Sequence, residues 1–73
     1  MATKEIRSEI TGSVWKILKN AGDPVEEEDA LMILESMKME IPVLAEAKGK
    51  VAEIRVKPED AVAEGQVLAI LEL

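Results

Sequence analysis

The sequence predicts an all-β fold, a tiny sandwich made of two copies of one half. Three observations predict it. The chain matches itself after a shift of 37 positions. Its apolar residues fall in short runs rich in Val, Ile and Leu, and Pro, Asp, Asn and Gly punctuate those runs. In the shifted register Gly12 meets Gly49, Val14 meets Val51, Ile17 meets Ile54, Asp23 meets Asp60 and Val25 meets Val62. Glu27 then meets Glu64, Leu31 meets Leu68, Ile33 meets Ile70, Leu34 meets Leu71 and Glu35 meets Glu72. These are 10 identities over the 25 ungapped positions from 12 to 36, where composition alone gives roughly one or two. A two-fold repeat is too short for a solenoid, so two copies sharing one core imply a domain with a pseudo-two-fold axis.

Each element follows from its residues. Segments 13–18 and 50–56 are rich in Val and Ile and too short for good helices. Val14 and Ile17 are three apart, as are Val51 and Ile54; a regular strand would put each pair on opposite faces, so a bend or bulge is expected between them. Segments 30–36 and 66–73 are nearly continuous apolar runs, which suits buried strands. A helix over 25–39 has the right residue types, but the second copy of that segment contains Gly65 and a Val/Leu/Ile run, which is poor helix material. Turns are expected at Asn20-Ala21-Gly22-Asp23-Pro24 and Lys57-Pro58-Glu59-Asp60, because Pro presets φ and Asp can bond local amides. Gly12 and Gly49 are read as serving close packing or a bend.

With strands at 30–36 and 39–43, Met37 and Lys38 form a hairpin tip. A two-residue tip calls for positive φ and favours Asn-Gly. Met-Lys is a poor choice conformationally, costing of order 1 kcal/mol or more, and such strain collects at functional positions. The tip also joins the two repeats. Its symmetry mate is the pair of chain ends, so Lys38 is expected at one pole and the termini at the other.

The totals bound the chemistry. The chain has 73 residues, net charge -6, no His, Cys, Tyr or Phe, and one aromatic residue, Trp15. One domain spanning 1–73 with one modest core is expected. Without cysteine there is no thiolate chemistry and no Cys-ligated zinc. The acidic balance opposes binding to nucleic acid or to an anionic membrane. No apolar run approaches the ~18 residues of a membrane span, and the N-terminus does not read as a signal peptide. A cytoplasmic protein is expected, with Met1 the initiator of a short complete chain. The run Glu26-Glu27-Glu28-Asp29 lacks the Gly and spacing of a calcium loop and is read as a solvated turn. Trp15 is read as a partly buried strand residue, with docking as the other option. Only carboxylates and lysines remain for acid–base work, so an independent enzyme is not expected. A lysine between two methionines reads instead as a residue to be modified.

Glu35-Ser36-Met37-Lys38-Met39-Glu40, with Gly22-Asp23-x-Val25, Gly49-x-Val51 and Asp60-x-Val62-x-x-Gly65-Gln66-x-Leu68, resembles the biotinyl/lipoyl attachment domains. The resemblance covers roughly residues 3–73. It implies a flattened β-barrel of two four-stranded antiparallel sheets with the modified lysine on an exposed hairpin. It implies biotin as the cofactor, joined to Lys38 by a biotin protein ligase that recognises Glu35, Ser36, Met37, Met39 and Glu40. The biotin would carry a carboxyl group between biotin carboxylase and carboxyltransferase subunits. Met-Lys-Met is similar to the biotin form of the motif, whereas lipoyl domains more often place Asp before the lysine and Ala after it. Lipoate, in place of biotin or accepted as well as biotin, for acyl or aminomethyl transfer in a system like the 2-oxo-acid dehydrogenases, is the alternative. The chain departs from the family pattern at Ser36, often Ala, at Glu9-Ile10-Thr11, often Pro-Met-Pro, and at Glu59, where Gly is usual. The ungapped repeat leaves no room for the "thumb" loop of some carriers.

Overall fold

The computed structural model describes residues 2–73 and contains eight strands. They are β1 (Thr3–Arg7), β2 (Gly12–Ile17), β3 (Pro24–Val25), β4 (Ala30–Ser36), β5 (Met39–Leu44), β6 (Gly49–Ile54), β7 (Ala61–Val62) and β8 (Val67–Glu72). Two antiparallel four-stranded sheets form, one in the order β1-β8-β6-β3 and the other β5-β4-β2-β7. The 37-residue shift carries one sheet onto the other strand for strand, with β2 falling on β6, β3 on β7, β4 on β8 and β1 on β5. The fold class and the two-fold construction are therefore as the sequence predicts, and no helix occupies 25–39.

The expected bulges are present. The β2–β4 register shifts between Val14 and Lys16, and the β6–β8 register shifts between Val51 and Glu53. Each shift adds one residue, Trp15 or Ala52, so Val14 and Ile17 can both face inward. A second symmetric pair of irregularities falls at Leu31, where β4 meets β5, and at Leu68, where β8 meets β1.

Symmetry extends to the turns. Asp23 accepts from the Asn20 N–H at 2.8 Å, and Asp60 from the Lys57 N–H at 3.1 Å. Asp29 accepts from the Glu26 N–H at 2.8 Å, and Gln66 does the same for Ala63 at 3.0 Å. These carboxylates and the amide hold turns closed by local bonds to the backbone. The acidic run 26–29 is thus one such turn, with Glu28 at φ 75°. The two-residue strands β3 and β7 lie directly after the turns closed by Asp23 and Asp60; the sequence predicts no strand at either place, and Pro24 is expected there as part of a turn.

The core has two symmetric lobes. Ile6, Val25, Leu31, Ala45, Val51, Ala69 and Leu71 form one, and Val14, Met32, Leu34, Val56, Val62 and Leu68 the other. Val43 and Ile54 pack against both. Met and small aliphatic side chains fill the interior, and the one aromatic residue stays outside it. The molecule measures 36 × 18 × 17 Å.

Candidate functional site at the β4–β5 hairpin

Lys38 sits where the sequence places it, at the tip of the β4–β5 hairpin. Ser36 pairs with Met39, and Met37 and Lys38 make the turn between them with φ of 50° and 66°. Positive φ at both central positions defines a type I′ turn, whose hand matches the twist of the strands it joins. Neither residue is suited to that region, so the tip holds two side chains at a conformational cost.

The base of the tip is tied down. The Ser36 hydroxyl donates to the Thr11 carbonyl at 3.1 Å. Gly12 follows directly, and its missing side chain lets the Glu35 carbonyl pass: a Cβ there would collide with that oxygen and lie 3.2 Å from Ser36 Cβ. The mate of Gly12, Gly49, gives the same clearance to the Glu72 carbonyl. Close approach of two backbones is therefore what both glycines supply, as the sequence suggested.

The tip is a pole of the molecule. From Ser36 the structure passes to Thr11, whose hydroxyl accepts from the Glu64 N–H, beside the Ser8–Gly65 bond at one end of β1. The chain ends lie at the other end of β1, where the Leu73 N–H donates to the Ala2 carbonyl at 3.0 Å. Position 1, the formal mate of Lys38, lies outside the described residues.

Exposure is extreme around the lysine. Met37 is 92% exposed, Met39 63%, and Lys38 is open to solvent. Lys38 makes no ion pair among the described residues. Glu35 and Glu40, at the foot of the turn, face each other across the β4–β5 ladder. Like charges directly opposite destabilise a hairpin, and no base offsets them among the described residues. The six residues singled out in the sequence thus share one hairpin end, and Thr11 and Gly12 join them as supports. Thr11 gave no signal in the sequence, while Gly12 was visible through its repeat partner. A primary amine that no other described residue engages, held at a pole, meets the steric demand of a covalently attached acyl group.

The comparisons agree with this geometry. The family profile described as "Biotin-requiring enzyme" matches residues 2–71. The chain is 47% identical over 60 residues to the biotin/lipoyl attachment protein of Bacillus subtilis, covering 82% of each chain. It is 40% identical over 68 residues to the biotinylated protein TB7.3 homolog of Mycobacterium leprae, covering 93% of this chain and 96% of that one. Among solved structures, the Kluyveromyces lactis urea carboxylase superposes with a TM-score of 0.93 at 38% identity; 99% of this chain is covered, and only 6% of the carboxylase. The lipoyl domain of the 2-oxoglutarate dehydrogenase complex of Azotobacter vinelandii superposes with a TM-score of 0.74 at 33% identity, covering 86% of this chain and 80% of that domain. With two matching four-stranded sheets and the lysine hairpin at their pole, this chain belongs to the biotinyl/lipoyl attachment domain family.

Proposed function

We propose that this protein is a biotin carrier, with Lys38 the residue that a biotin protein ligase modifies and the arm so formed serving carboxylase and carboxyltransferase sites in turn. The observation that carries the reading is the Met37-Lys38 tip, a strained turn that presents a solvent-exposed amine between two exposed methionines. The relative described as a biotinylated protein and the match to a urea carboxylase support the biotin form.

The chain's own chemistry is limited and definite. Lys38 Nζ sheds a proton and attacks the carboxyl carbon that the ligase has activated, forming one C–N bond as the activating group leaves. The amide that results is uncharged. Met37 and Met39 offer polarizable, flexible contact surface to the ligase. Glu35 and Glu40 supply negative charge beside the amine, which favours a basic counter-surface. Ser36, bonded to Thr11, fixes the direction in which the tip projects. Biotin, once joined, supplies the ring nitrogen that accepts and gives up a carboxyl group. The protein's part is to keep that group tethered near both sites, which raises its local concentration without new contacts.

Lipoate is the second reading, favoured by the match to a lipoyl domain. Parallel incubation of the purified chain with a biotin ligase and with a lipoate ligase separates the two. Intact-mass measurement is expected to show one added biotin, none on Lys38→Arg, and no lipoyl adduct. An adduct from lipoate ligase alone would transfer the protein to the second reading; no adduct from either would end the carrier proposal.

A further inference from the structure

The internal two-fold gives the outward residues of the strands mates, and the two outer faces differ where these mates are compared. On the β1-β8-β6-β3 face, Glu5, Ile70 and Glu53 lie in one row across three strands, with Ala52 at the bulge. Glu5 is paired with Arg7, and Glu53 with Arg55 at 3.3 Å. The 37-residue register replaces these two ion pairs on the Lys38 sheet by Pro42 with Leu44 and by Lys16 with Leu18. The corresponding row there is Pro42, Ile33 and Lys16, with Trp15 in place of Ala52. Trp15, Leu18 and Leu44 are all exposed, Trp15 at 47%. The chain therefore places its one aromatic residue outside, on the sheet that ends in the lysine tip.

Charge follows the same asymmetry. Next to the tip, this face carries Glu35 and Glu40 opposite each other. The mate of Glu35, Glu72, lies opposite Lys50 instead. One face is thus laced with balanced charge, whereas the other has a middle that is apolar but for Lys16 and an acidic end beside Lys38 without an ion pair among the described residues. A second copy of this chain is a poor occupant, because it would bring acid against acid and a net charge of -6 against its like. A partner with an apolar patch bordered by Lys or Arg fits both features.

We propose that the outer face of β5-β4-β2-β7, centred on Trp15, is the docking surface for the biotin carboxylase that works on the arm, and that this enzyme meets Glu35 and Glu40 with basic residues. The proposal rests on the carrier reading above. Docking by a sheet face adjoining the tip fixes where the tip lies while leaving the lysine arm free to enter a catalytic site. Trp is the residue type most enriched among those that dominate binding energy, and such residues sit at the centre of an interface within a polar rim.

The symmetry supplies the test. The triple variant Trp15→Ala/Leu18→Arg/Leu44→Arg gives this face the residue types found at its mates Ala52, Arg55 and Arg7, which strands of the same geometry accommodate on the other sheet. Purified biotin carboxylase from the same host is titrated into the biotinylated wild type and the biotinylated variant. The expected result is a Kd raised ~10-fold or more, with Lys38 still accepting biotin from the ligase. In the wild type, amide NMR signals of Trp15, Leu18, Ile33 and Leu44 are expected to move on titration, and those of Ala52, Glu53 and Ile70 to stay. Should the triple variant fail to fold, Trp15→Ala and the wild-type mapping decide. Equal affinity, absence of binding, or signal changes confined to 35–40 or to the other face would overturn the proposal. So would loss of ligase labelling in a folded variant, which would give the face to the ligase. Failure of the wild type itself to take biotin would instead strike the carrier reading.

Discussion

The two halves of this chain are alike inside and unlike outside. Leu31 and Leu68 are both fully buried, and Val14 with Val51, Val25 with Val62, and Leu34 with Leu71 occupy matching places in the two core lobes. The same bulges and turn-closing hydrogen bonds recur. Outward, Trp15 faces solvent where its mate is Ala52, and Leu18 and Leu44 stand where Arg55 and Arg7 make ion pairs. The ends differ as well. β4 runs into β5 through the Met37-Lys38 turn, while β8 and β1 meet as separate chain ends. Repeated positions carry the fold, and positions that break the repeat carry what distinguishes one sheet from the other.

The largest effect that sharpens this comparison lies in the core. Leu31→Ala and Leu68→Ala are each expected to cost about 2–5 kcal/mol, and about equally, in urea unfolding. A gap of several kcal/mol between them would break the interior symmetry. Gly12→Ala and Gly49→Ala come next. Each drives a Cβ into a backbone carbonyl, at a cost of about 1–3 kcal/mol. They are expected to part company in function. Gly12→Ala also crowds Ser36 and should slow biotin transfer to Lys38, whereas Gly49→Ala should lower stability with the transfer rate kept. Equal rates would remove Gly12 from the supports of the tip. The smallest effect is at the turn. Met37→Asn/Lys38→Gly installs the pair that a type I′ turn prefers and is expected to stabilise the chain by about 1 kcal/mol while ending acceptance of biotin. A neutral or destabilising result would mean that the Met-Lys tip carries no strain.

Most of this architecture could be read from the sequence, because the repeat supplied a second opinion on each segment. The three-residue spacing of Val14 and Ile17 revealed a bulge only because Val51 and Ile54 repeat it. The hairpin tip followed from the two apolar runs that flank it. The two-residue strands β3 and β7 were hidden, since so short a pairing leaves no periodicity to detect. The positive φ of Glu28 and Glu59 had a usable signal: the register aligns them with Gly65 and Gly22, which share the conformation. At the tip, the six motif residues fall together as expected, while the Ser36–Thr11 bond is a long-range contact across 25 positions and left no local trace. The contrast between the outer faces escaped for a different reason. The positions that set it, Trp15, Leu18 and Leu44, are ones where the repeat is broken, so no identity between the halves marks them.

The central claim is that the strained tip, and not mere exposure, selects one amine for modification. Lys16, Lys48, Lys50 and Lys57 are exposed as well and serve as internal controls. After the wild-type protein is treated with biotin ligase, peptide mapping by tandem mass spectrometry is expected to find biotin on Lys38 alone. Biotin spread over several of these lysines, or on another in place of Lys38, would contradict it.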